Sequence, residues 1–354
     1  MQPNRTFIGI KLMHKIATQI LSTHTNTQQT PNRPAPIRHI ANPMQQALRI
    51  ITILILLPTL AVAQQDPQFN HIFFNPMSVN PAYAGSQDLI CLNAINKTQW
   101  IGFGTGAPMS TVVNVNAPIA PFGFKSGVGL NITQDGYGFN NDIGISLAYA
   151  ARFKFKLGGT LAIGVNGGVV NNAIKPTWKF PSGGTTDVAA VQQDESAISI
   201  DFGVGLFYNT DKMFFGLSAT HLTEPLMYKS TEQIRYTRQY YLLGGYTVGF
   251  ANDKWSFEPS VIINTDLTTT RFSLNSLLKY NKKIWGGVSY RMSEAAVVML
   301  GIEIFNGLRI GYAYEISTNK LITYHSGSHE LMLGYNFSLK KEKAPQHYKS
   351  LRFL

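Results

Sequence analysis

Asp142-Ile143-Gly144-Ile145-Ser146-Leu147-Ala148-Tyr149-Ala150-Ala151-Arg152 is the stretch that decides the fold. Successive side chains of an extended strand point to opposite faces, so Ile143, Ile145, Leu147, Tyr149 and Ala151 share one side. Asp142, Gly144, Ser146, Ala148, Ala150 and Arg152 share the other. One face is greasy; the other is small, polar or charged. The same alternation recurs from Gln64 to Leu339, near 88–99, 108–118, 125–134, 141–153, 158–170, 197–209, 212–221, 237–250, 254–264, 270–280, 283–291, 295–305, 307–316 and 328–339. Each segment is close to the roughly 9–11 residues a tilted strand needs to cross a bilayer. A bilayer accepts β-structure only when every backbone group has a partner, which requires closure into a barrel. The chain is therefore expected to be all-β, a transmembrane antiparallel β-barrel of about fourteen strands over 88–339 with lipid outside and a wet interior.

A soluble β-sandwich alternates too, with its apolar face inward. Connection lengths separate the two. Asn209-Thr210-Asp211-Lys212, Ala251-Asn252-Asp253-Lys254, Asn281-Lys282 and Asn306-Gly307 read as tight turns, whereas 171–196, 222–236 and 317–327 are long. Outer-membrane barrels pair short periplasmic turns with longer outer loops, and they carry aromatic girdles, matched here by Phe153, Tyr208, Tyr290, Tyr324 and Phe337 at segment ends. With both termini periplasmic, every long connection opens outward. The stretch 171–196, with Pro176, Trp178, Pro181 and Gly183-Gly184, is expected to fold over the mouth or contact a partner.

The net charge of +11 is concentrated at the ends. Arg5, Lys11, Lys15, Arg33, Arg38 and Arg49 face no acid within residues 1–63, and Lys340, Lys341, Lys343, Lys349 and Arg352 form a basic tail over 340–354. The body is near neutral and carries no nucleic-acid motif. Outside residues 50–63 no apolar run approaches the roughly 18–20 residues of a spanning helix. Cys91 is the only cysteine, so no intrachain disulfide or thiolate metal site can form, and it reads as a small buried hydrophobe.

Arg49, the apolar run Ile50 to Leu57, and Ala61-Val62-Ala63 follow the order of a secretory signal peptide, with cleavage expected before Gln64. Met44 would start that signal correctly, giving a signal peptide over 44–63. Residues 1–43 then read as a disordered extension or the product of an upstream start codon.

No constellation predicts a catalytic, cofactor or metal site. Gly102-Phe103-Gly104-Thr105-Gly106 lies between two strands, without the helix a phosphate loop needs, and reads as a turn. His325, His329 and Glu330 lie in a Gly- and Ser-rich segment rather than on a helix that would align ligands. His221, near Ser218 and Glu224, shares its parity with Phe215 and Leu217 and reads as interfacial. Asp142, Arg152, Asp201, Glu258, Arg271, Glu303, Arg309 and Glu315 all fall on the polar parity and are expected to face the lumen, either as a salt-bridged plug or as the lining of a pore.

The segment after the cleavage site reads Gln65-Asp66-Pro67-Gln68-Phe69, Phe74-Asn75-Pro76 and Val79-Asn80-Pro81-Ala82-Tyr83-Ala84-Gly85-Ser86, followed by Gln99-Trp100-Ile101-Gly102 and Gly106-Ala107-Pro108. It resembles the opening of the PorP/SprF family, outer-membrane proteins of the type IX secretion and gliding-motility system of Bacteroidetes. The resemblance runs from Gln64 to about Leu339; the basic tail departs from the family pattern. It implies an outer-membrane, non-enzymatic accessory that helps particular cargo proteins or adhesins to be exported or held at the surface, in contact with periplasmic or peptidoglycan-linked secretion subunits. A passive porin or small-solute channel, and a barrel hydrolase, are the alternatives. Proline disfavours helix in the residue before it, so the two Asn-Pro steps make 64–87 an irregular segment. It serves either as a lead-in that caps or fills the barrel or as a periplasmic docking surface or plug, with Asn75, Pro76, Asn80, Pro81, Tyr83 and Gly85 as candidate docking residues.

Overall fold

The computed structural model describes residues 66–155, 158–176, 193–228, 233–252, 254–305 and 307–338. The expected extension, signal peptide and basic tail, and most of 171–196, lie outside them. The strands are β1 (Ile90–Thr98), β2 (Met109–Ile119), β3 (Ser126–Tyr137), β4 (Asn140–Lys154), β5 (Thr160–Ile174), β6 (Glu195–Asn209), β7 (Met213–Thr220), β8 (Leu226–Tyr228), β9 (Gln233–Arg235), β10 (Gln239–Tyr246), β11 (Val248–Phe250), β12 (Trp255–Thr265), β13 (Thr270–Tyr280), β14 (Ile284–Arg291), β15 (Ala295–Ile304), β16 (Leu308–Ser317) and β17 (Ser328–Phe337). β8 and β9 pair only with each other, and β10 and β11 are one wall strand interrupted at Thr247, whose amide donates to Lys212 O. The remaining neighbours pair antiparallel in chain order. β1 pairs with β17 and β10 with β12, so the wall is a closed fourteen-strand barrel with no free edge. Closure satisfies the backbone in a medium that offers no hydrogen bonds.

Parity sets the two faces. Leu147 and Ile198 are 67% and 70% exposed on the outside, while Ala148 and Ala150 in the same wall are buried inside. Leu147→Arg should therefore cost assembly about 2–4 kcal/mol near the midplane, whereas Ser146→Arg, one residue away on the inward face, should be tolerated. The yield of heat-modifiable barrel on gels measures the difference; equal loss at both positions would contradict this register.

Ala251-Asn252 and Asn281-Lys282 take paired positive φ values, 53° and 56° and 51° and 57°, the twist that two-residue hairpins favour. The connections 99–108, 175–194, 221–238 and 318–327 all open at the opposite end from these turns. By that asymmetry the long-loop end is extracellular and the chain meets β1 and leaves β17 at the periplasmic end. β5 continues to Ile174, beyond the expected stop near 170, because Asn171 to Ile174 keep register with both β4 and β6.

The hydrophobic core lies inside the barrel. Residues 66–88 run down through the lumen from the long-loop half to the short-turn end, through three 3₁₀ turns at Ile72–Phe74, Pro76–Ser78 and Pro81–Tyr83. Two begin at the Asn-Pro steps, since proline fits the first position of a turn where no amide donor is needed. Asn80 also caps its turn, accepting from Ala82 N at 3.0 Å. Phe69 and Phe74 pack on Ile95, Val112, Leu277, Trp285, Met299 and Met332; Tyr83 and Met77 pack on Ala148, Ala150, Ala162 and Phe207. The wet interior expected from the sequence is thus dry in its lower half.

Candidate functional site

The lumen and its internal segment form the site. Asn75, Pro76, Asn80, Pro81, Tyr83 and Gly85, expected as docking residues, are all buried against the wall. This corrects the expectation of a side-chain docking surface. The Asn80 amide donates to Leu206 O at 3.0 Å and Leu217 O at 3.3 Å, bonding segment to wall through backbone carbonyls. Asn75 bonds Asn114, and the Tyr83 ring packs edge-on to Phe207 at 5.2 Å. The wall makes room with glycine: a Cβ on Gly127, Gly164 or Gly205 would overlap Ala84, Ala82 or Asn80. Glycines on the inward parity of β3, β5 and β6 were the sequence sign of a close backbone approach.

The eight polar-parity charges divide among separate partners. Arg152 binds Asp88 at 2.7 Å and the Gly85 and Ser86 carbonyls, clamping the end of the segment to β4. Glu315 pairs with Lys97 at 2.8 Å and Arg291 at 3.4 Å; Arg271 pairs with Glu294 at 2.7 Å and Glu258 with Lys279 at 2.6 Å. Arg309 donates to Asn336 at 2.9 Å and lies over the Phe74 ring; Glu303 is its cross-strand neighbour. Asp142 bonds Asn172, Tyr137 and Tyr236, and Asp201 lies 2.7 Å from His221 Nδ1.

Two residues that fasten the segment were missed in the sequence, Lys97 altogether and Glu330 except as a candidate metal ligand. Lys97 and Glu330 are in-register neighbours on the inward faces of β1 and β17. Lys97 Nζ donates to Gln68 O at 2.9 Å, and Glu330 accepts from Asn70 N at 2.7 Å, His71 N at 2.8 Å and the His71 ring at 2.6 Å. Their parity was readable; their partners, 29 residues away for Lys97 and about 260 for Glu330, were not. Glu330 therefore has no common centre with His325, which bonds Ser317, or His329, which bonds Tyr312. No metal-binding group of three occurs among the described residues.

His221 is not interfacial. Its φ of +52° ends the alternation of β7 and turns the imidazole inward, between Asp66 at 2.8 Å and Asp201. Ser218 donates to Val79 O at 2.7 Å, and Glu224 faces Arg235 and Arg238, so the three do not converge as a nucleophile and base. Asp66 also accepts from Tyr241 at 2.9 Å. Above the packed lower half lies a cavity of about 560 Å³, lined by Asp66, Lys97, Trp100, Asp135, Asp142 and Tyr236 among others.

A family model described as type IX secretion system membrane protein PorP/SprF matches residues 61–335. The chain belongs to the PorP/SprF family. It is an outer-membrane β-barrel of the type IX secretion system. Among curated proteins none matches. Solved barrels similar to it include Acinetobacter baumannii outer membrane protein Omp33 (6% identity, 70% of this chain and 98% of that one, TM-score 0.43) and the P. putida toluene transporter TodX (11%, 75% and 95%, 0.42). A Pseudomonas aeruginosa FadL homologue is a third (13%, 73% and 93%, 0.41). Likenesses this weak carry no functional argument.

In this PorP/SprF barrel the segment's upper end is held by a latch that depends on pH. His221 lies beyond the end of β7; burial alone would lower its pKa, but the Asp66 and Asp201 carboxylates outweigh burial and raise it to about 10. Burial works to raise Asp66, and the His221 cation with hydrogen bonds from Tyr241 and Thr220 brings it below the usual value. A histidine raised from 6.5 to about 10 contributes fully below its unfolded pKa and loses that contribution as pH climbs through about 10. Asp66 contributes above its unfolded pKa and loses its part as acid reaches the lowered folded value. Hydrogen exchange at residues 66–70 should therefore quicken as pH rises from about 7 toward 10, beyond the intrinsic chemical rate. His221→Gln should flatten the dependence, and a flat wild-type profile would contradict the latch.

Proposed function

We propose that this PorP/SprF protein is a plugged, non-enzymatic accessory barrel that assists export or surface retention of particular cargo proteins or adhesins. The observation that carries the reading is the packing of residues 69–86 across the lower lumen, with Asn75, Asn80, Ala82 and Ala84 fully buried. A conduit for solutes needs that path clear. The Ser218, His221 and Glu224 side chains, each committed elsewhere, support the non-enzymatic part. With the Asn-Pro residues inside, periplasmic or peptidoglycan-linked subunits are left the short-turn end, where Phe122 is fully exposed and Phe305 is 85% exposed. Aromatic side chains supply large contact area at low entropic cost, which suits them to that task.

The upper cavity, with its charged walls, favours a second reading as a small-solute channel. Deleting the gene should reduce surface delivery of one or a few proteins while uptake of antibiotics and small sugars stays nearly unchanged. Proteomics of medium and cell surface beside uptake assays separates the two. An unchanged secretome with lowered uptake would select the channel.

A further inference from the structure

We propose that the flank of the barrel at the short-turn end binds anionic phospholipid at two sites, where exposed lysines stand beside outward-facing aromatic rings. The short turns, 120–125, 154–159, 209–213, 251–254, 281–283 and 305–307, carry seven lysines against two acids, Asp211 and Asp253. Lys125, Lys154, Lys212, Lys254, Lys282 and Lys283 are all exposed, and among the described residues none of them forms an ion pair. Cations elsewhere are matched: Lys97 has Glu315, Lys279 has Glu258, and at the long-loop end Arg235 and Arg238 share Glu224. The excess positive charge therefore belongs to one end of the wall.

The lysines gather around two aromatic platforms. At the first, the Phe124 and Phe153 rings meet edge to face at 5.6 Å, with Lys125 and Lys154 next to them in the chain. Lys125 O accepts from Arg152 N at 3.0 Å, which holds the two turns side by side. At the second, Trp255 stacks on Phe250 at 6.5 Å and lies 4.6 Å from Tyr280. Lys254 precedes Trp255, Lys282 and Lys283 follow Tyr280, and Asn281 N donates to Lys254 O at 2.6 Å. From each platform the outward apolar row continues toward the midplane, through Tyr149 and Leu147 in one case and Phe257 and Leu278 in the other. Aromatic rings on a membrane protein settle at the headgroup level, and a lysine stem beside them carries its ammonium to the polar layer. Each site thus offers an apolar track for acyl chains and two or three ammonium groups for a phosphodiester. The first site lies on β3 and β4 and the second on β11 to β13, nearly opposite each other around the wall. Charge on opposite flanks matches a leaflet that surrounds the barrel better than a protein docked on one side, and neither site uses Phe122 or Phe305.

The test gives the mature full-length protein, purified in detergent, equal amounts of dioleoyl-phosphatidylglycerol and dioleoyl-phosphatidylcholine and counts bound lipid by native mass spectrometry. One lysine near a headgroup layer favours an anionic lipid by about fivefold at low salt, so wild type should retain phosphatidylglycerol over phosphatidylcholine by at least about that factor. High salt should erase most of the preference. Lys125→Gln with Lys154→Gln should remove one tightly held lipid, and Lys254→Gln with Lys282→Gln and Lys283→Gln the other, while Lys175→Gln with Lys320→Gln at the long-loop end should leave both. Heat-modifiable migration verifies that each variant is folded. Equal retention of the two lipids overturns the proposal, as does a preference that survives all five short-turn substitutions. Displacement of the lipid by an equal concentration of glycerol phosphate would show that the headgroup binds alone and overturn the aromatic platforms. Polyglutamate bound through these lysines, with no preference between the lipids, would assign the end to an acidic protein face instead.

Discussion

A barrel lacking residues 68–84 should pass a steady ionic current across a planar bilayer, while the intact protein passes almost none. The deleted stretch includes all three 3₁₀ turns, and with it go Phe69, Phe74, Met77 and Tyr83, the side chains that join the walls of the lower lumen. The wall itself does not depend on the segment for its backbone pairing, because each of the fourteen strands bonds two neighbours. What remains has inward residues such as Asn93, Asn114, Gly127, Gly164 and Gly205, whose small or polar side chains leave a path for water once the segment is gone. Lys97, Arg291 and Glu315 would then line the conduit, and a lumen rich in ionisable groups conducts small ions readily. Heat-modifiable migration on gels verifies that the deleted form is still a barrel. Steady current through intact protein would refute the plug and favour the channel reading.

Glu330→Ala should be the most damaging single substitution inside the lumen, costing about 3–5 kcal/mol. Glu330 is fully buried and accepts from two successive backbone amides and the His71 ring. Removing its oxygens leaves buried donors without partners, and each such donor costs roughly 1–3 kcal/mol. The loss should appear as a lower urea midpoint in detergent and as faster proteolysis between Phe69 and Tyr83. Glu294→Gln is the control. Its ion pairs with Arg271 and Arg291 lie nearer the rim, where Glu294 is 31% exposed to screening solvent, and Gln keeps an acceptor oxygen, so the loss should be smaller. Equal damage from the two would show that Glu330 does not anchor the segment.

The sequence by itself determined the wall. Alternation in Asp142 to Arg152 and its repeats establishes strands, faces and nearly the right boundaries, because a side-chain period of two is local and a bilayer punishes the wrong phase. The sequence also placed Arg152, Asp201, Arg271 and Glu315 on the inward parity. Tertiary structure alone decided what fills the barrel. The Asn-Pro segment read as an irregular lead-in that caps or fills the barrel or as a docking surface or plug, since proline states what the backbone cannot do but not what it packs against. Its partners, among them Glu330 on Asn70 and His71, Trp285 on Phe74, and Gly164 beneath Ala82, lie far along the chain and meet only when the barrel closes. His221 shows the same limit at one residue. Parity put it outside, and a single positive φ, set by the end of β7 and by the waiting carboxylates of Asp66 and Asp201, turned it in.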